Sequence, residues 1–100
     1  MNMPKRYFKI LRPFIAPDAQ RAVKWDDFYG LFVNHFEFDV KRGKGRVHAF
    51  TPPTQGWVFA PKKFLAYKPK RPELTPTEVR DIRKTLKEVY GWGPDSFTGV

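Results

Sequence analysis

The stretch KRGKGRVHAF, Lys41 to Phe50, gathers residue types that could do chemistry: four cations, two glycines and His48, one of two histidines in the chain. An imidazole set among cations protonates less readily, which suits a general base acting on the 2′-hydroxyl of RNA. His48 is therefore the candidate catalytic residue of a metal-independent ribonuclease. The plainer reading is a strand histidine half-buried beside Phe50. His35 closes an apolar helical stretch and reads as structural.

Other chemistries find no residues to carry them. The two histidines lack a carboxylate cluster at metal-ligand spacing, so no metal or cofactor is expected. The absence of cysteine removes thiolate nucleophiles and disulfides, and fits a reducing, cytoplasmic compartment. Ser96, in the tail, is the only serine. The GKG glycines join two expected strands rather than a strand and a helix, which excludes a P-loop.

Charge points elsewhere. Nineteen Lys/Arg against ten Asp/Glu give a net charge of +9, the balance of a protein that meets a polyanion. Between Val40 and Pro72 there are nine Lys/Arg and no acid. The expected phosphate-gripping set is Lys41, Arg42, Lys44, Arg46, Lys62 and Lys63. A second set, Arg80, Arg83, Lys84 and Lys87, contains two like-charge i,i+4 pairs, each costing a few tenths of a kcal/mol unless an anion lies nearby. Such a surface grips phosphate and sugar with little base reading. Most aromatics carry core spacing, and Trp57, Tyr67 and Trp92 are the ones whose exposure would decide whether bases can stack. An acidic protein groove is the competing partner, which would make the chain an interaction module or an inhibitor of a nucleic-acid-processing machine. No run approaches the ~18 apolar residues of a membrane span, and Lys9, Arg12 and Pro13 break the N-terminal apolar stretch, so neither membrane nor signal peptide is expected.

These residues must be positioned by a small scaffold. With 41% apolar and 17% aromatic residues the chain can bury a core of one domain. Residues 1–18 read as an N-terminal arm, because Pro4, Pro13 and Pro17 argue against a long helix. Residues 19–93 read as a single α+β domain, and 94–100 as an irregular tail. Val23, Trp25, Phe28, Leu31 and Phe32 recur at helical spacing, predicting a helix over 19–34. HFEFDV then alternates as a strand, RGKG turns, RVHAFT returns, and WVFA after PPTQG supplies a third strand closed by Pro61. KKFLAYKPKRP reads as a basic loop. Thr75, Pro76 and Glu78 form a capping box that opens a helix ending at Gly91. The expected architecture is α-β-β-β-α, a three-stranded antiparallel sheet with two helices on one face.

This order, with its residues, resembles the HicA toxin family over about Trp25 to Gly91. FEFDVKRGKGRVHAF is similar to the family's strand, basic glycine turn and GSHxxF strand; WVFAPKK to its third strand ending in VPxH; LTPTEVRDIRKTL to its closing helix. The resemblance implies a double-stranded-RNA-binding-like fold (dsRBD-like), messenger-RNA cleavage and a HicB-like antitoxin as partner. It favours RNA over DNA, since such folds read helix shape through backbone and 2′-hydroxyl contacts. On the GSHxxF pattern Gly45 and Phe50 match, while Arg46 and Val47 stand at the serine and histidine positions and His48 lies one residue later. One residue along a strand is the opposite face. Lys62 likewise stands where the third-strand motif often has histidine.

Overall fold

Phe50, fully buried on the middle strand of a three-stranded sheet, is where the first long helical segment meets the sheet. A computed structural model describes residues 2–99; Met1 and Val100, the outer ends of the expected arm and tail, lie outside the described residues. The sheet is antiparallel, ordered β3 (Asp39–Arg42), β4 (Val47–Thr51), β5 (Phe64–Tyr67). Its register pairs Val40 with Phe50 and Phe50 with Phe64, then Arg42 with His48 and His48 with Ala66. Directly paired residues share a face. The face carrying Phe50 and Phe64 is covered by helices, and the opposite face is open.

Helix α2 (Trp25–Gly30) runs on into a π-helical turn, Leu31–His35. Its rings meet the sheet edge-on: Phe28 and Phe32 lie 5.4 and 5.7 Å from Phe50. Helix α3 (Pro76–Tyr90) reaches the same face through Tyr90, 6.1 Å from Phe64. The capping box forms as its sequence requires, with the Glu78 amide donating to the Thr75 hydroxyl and the Thr75 amide to the Glu78 carboxylate. Gly91 closes the helix at φ 71°, a left-handed position that favours glycine. The fold is thus α+β with a three-stranded antiparallel sheet, as expected, but with three helices rather than two.

The extra helix, α1 (Lys5–Leu11), comes from the segment read as an arm. Its prolines delimit it: Pro4 is the N-cap and Pro13 sits in a 3-10 turn, Arg12–Phe14, that follows. Leu11 and Phe14 are fully buried, so the N-terminal segment is part of the core. Strand β1 (Asn2–Met3) pairs in parallel with β7 (Thr98–Gly99), giving the tail a strand where none was expected.

Three boundaries also differ from expectation. The first long helix begins at Trp25, because Val23–Lys24 (β2) pairs with Glu73–Leu74 (β6) instead of coiling. HFEFDV is not a strand until Asp39. The π turn carries the helix to His35, and Glu37 at φ 60° then reverses the chain while Phe36 and Phe38 both stay buried. The third strand is FLAY and not WVFA. WVFA loops over the aromatic core, Trp57 lying 4.8 Å from Phe38 and donating its indole N–H to the Ala60 carbonyl.

Candidate nucleic-acid interface

The hairpin between β3 and β4 holds out Lys41, Arg42, Lys44 and Arg46, all exposed. Its turn is closed by the Gly43 amide on the Val47 carbonyl at 2.8 Å, with Gly45 at φ 66°. Because β5 is antiparallel to β4, the residues after β5, and not those before it, return to this end. The Lys68 amide donates to the Arg46 carbonyl at 2.9 Å. Lys68, exposed, therefore joins the hairpin cations, and Lys70, also exposed, follows two residues on. Arg71 is engaged elsewhere, on the Glu78 carboxylate.

Lys62 and Lys63 stand at the opposite end of β5, a strand's length of roughly 13 Å away. The Lys62 carbonyl accepts from the Tyr90 hydroxyl at the end of α3. Burial pushes that phenol's pKa above its ordinary value. The expected primary set is thus split: four of its members share the hairpin end, and two do not.

Arg80, Arg83, Lys84 and Lys87 line a groove between α3 and the 3-10 turn, walled by Ile15, Pro17 and Trp92. Arg83 is half-buried and donates to the Pro13 carbonyl at 3.1 Å, so it clamps the N-terminal segment onto α3. The other three are exposed. Among the described residues the ion pairs are Arg12–Asp18 and Arg71–Glu78, and neither involves this groove or the hairpin.

His48 lies on the helix-covered face, half-buried, with the Trp25 ring 5.3 Å away. Its Nδ1 is 3.0 Å from the Arg46 carbonyl. Val47, at the position where the resemblance implies histidine, lies on the open face paired with Tyr67. His35 stacks on Tyr7 at 4.8 Å, and the Arg6 guanidinium sits over the same tyrosine ring. Burial, and secondarily the Arg6 charge, hold the His35 pKa below its ordinary value.

Of the three aromatics whose exposure mattered, Trp92 is buried and Trp57 is half-buried in the ring network. Tyr67 is 65% exposed. Lys68, Lys70 and Tyr67 stand in the acid-free run, but local spacing does not show which strand that segment pairs with. Among the described residues no group of three or more His, Cys, Asp or Glu is arranged to hold a metal ion, and no helix is long and apolar enough to cross a membrane.

Compared with protein-family models, curated proteins and solved structures, the chain matches none.

Proposed function

We propose that this protein binds RNA, as a HicA-like, dsRBD-like basic domain working in the cytoplasm. The observation that carries the reading is the convergence at one end of the sheet. Lys41, Arg42, Lys44 and Arg46 meet Lys68 there through the Arg46–Lys68 backbone bond, with Lys70 two residues beyond, within a run containing no acid. None of these six forms an ion pair among the described residues. Such a cluster repels itself until an anion neutralises it, and a phosphate backbone supplies a row of anions. The groove cations Arg80, Lys84 and Lys87 offer a second, separate contact. Helix–sheet order and the family resemblance favour RNA over DNA.

Fluorescence anisotropy with labelled RNA and DNA across a salt series tests this. Affinity should fall steeply and log-linearly with salt, by about 0.7 to 0.9 in slope for each phosphate neutralised. Absence of binding at low salt would overturn it, and an acidic protein partner, such as a HicB-like antitoxin, would then be the better reading.

One observation favours a second reading, an active ribonuclease. A His48 Nδ1–H donated to the Arg46 carbonyl leaves Nε2 with the lone pair, the form a general base needs, beside the hairpin cations. RNA cleavage by the purified protein, lost in His48→Ala, would support it. Intact RNA after prolonged incubation would rule it out.

A further inference from the structure

An antiparallel sheet with one face in solvent ordinarily alternates apolar-in, polar-out. This sheet does not. On its open face Val47 pairs with Tyr67, and Ala49 lies between Lys41 and Leu65. Leu65 is 49% exposed, and Val47 and Ala49 are half-exposed. Tyr67 is isolated as well as exposed. Every other aromatic except Phe8 takes part in a ring contact among the described residues, and Phe8 is packed against the core. A fold that spends its rings so consistently on one another leaves this one on an unpartnered face.

The surroundings say what could cover it. Lys41 shares the row of Ala49 and Leu65, and Lys63, exposed, stands just ahead of β5, two residues before Leu65. The cationic hairpin end begins where Tyr67 ends. Glu78 and Asp81 share a groove with Leu65 and Tyr67 on the outer side of β5, and Glu78 is already held by Arg71 and Thr75. Asp39 sits at the far corner, opposite Thr51. A polyanion is therefore drawn across the β3 side and the hairpin, and repelled from the α3 side. The face measures roughly 10 by 14 Å from strand spacing and rise, room for about two bases lying flat.

We infer that the open sheet face binds single-stranded RNA by stacking an unpaired base on Tyr67, with Leu65, Val47 and Ala49 beneath its neighbour and the phosphates running past Lys41 to the hairpin. The inference rests on the proposed RNA binding and names its substrate class. A duplex keeps its base faces buried in its own stack and has nothing to offer Tyr67, whereas a splayed strand does.

The test uses three probes: a ten-nucleotide single-stranded RNA, the matching duplex, and inorganic polyphosphate, which carries the charge without bases. Tyr67→Ala should weaken single-strand binding roughly five- to a hundredfold, the loss of one stacked base. Tyr67→Phe should retain it, and polyphosphate affinity should be the same in all three proteins. Val58→Ala, removing an exposed apolar side chain outside the sheet, should change nothing. If the wild type binds duplex and polyphosphate as well as single strands, and Tyr67→Ala is silent, the inference falls while RNA binding stands. If the wild type binds none of the three probes, both fall together.

Discussion

Replacing Lys41, Arg42, Lys44 and Arg46 together by glutamine separates a binding surface from a merely solvated one. All four are exposed and none forms an ion pair among the described residues, so the fold should lose at most about 0.5 kcal/mol per position. Self-repulsion at the turn is relieved, which offsets part of that. The effect on RNA is far larger. Four phosphate contacts at about 0.7 to 0.9 each contribute roughly 3 to the slope of log affinity against log salt. Between 50 and 200 mM salt the wild type should therefore lose roughly 50- to 150-fold more affinity than the variant. Anisotropy titrations at four salt concentrations measure this, with urea unfolding to confirm that both proteins are folded. An unchanged slope in a folded variant would refute the assignment of this hairpin, and would point to the groove of Arg80, Lys84 and Lys87.

The remaining predictions concern the scaffold. Phe50→Ala removes a fully buried ring stacked at 4.9 Å on Phe64 and should cost about 3 to 5 kcal/mol, a large part of a small domain's stability, read as a shift in urea midpoint. Thr75→Ala deletes half of the capping box and should cost about 1 kcal/mol, or roughly 4 to 8 °C in melting temperature. Burial pushes the Glu78 carboxyl up, but its bonds from Thr75 and the Arg71 charge outweigh this and hold its pKa below the ordinary 4.5. Its contribution is present above that value and is lost as pH falls through the folded pKa, so Glu78→Gln should flatten the acid limb of stability. His35 has its folded pKa below 6.5, so the unfolded chain binds the extra proton and stability falls as pH drops below 6.5. Arg6, Tyr7 and Phe36 face that ring. His35→Phe should keep the stack on Tyr7 and remove this pH dependence.

The parts legible in the sequence are those where one local rule acts alone. Thr75, Pro76, Glu78 and Gly91 delimit α3 by capping chemistry, and the GKG glycines locate the β3–β4 turn. Sequence and structure part where two rules compete. In FLAY, Phe64 and Ala66 point inward while Leu65 and Tyr67 point out, so the strand has no polar face and reads as apolar filler between lysines and prolines. In WVFA the alternation is suitable, but the segment packs its rings on Phe38 and Tyr90 instead of extending the ladder. The prolines of the N-terminal segment argue against a long helix, and they bound a short one, Lys5–Leu11. The π turn depends on the Phe36 amide reaching back to Leu31, a choice dictated by burying Phe36 and Phe38 together and invisible in local spacing. For the site, the hairpin cations were legible, but their union with Lys68 required knowing which strand pairs with β4.

Amide chemical-shift mapping on adding single-stranded RNA tests the central claim most directly. The shifts should concentrate in Lys41–Arg46 and 67–70, on the sheet's hairpin end and open face. Shifts confined to Ile15, Trp92 and the groove face of α3, or none at all, would contradict it.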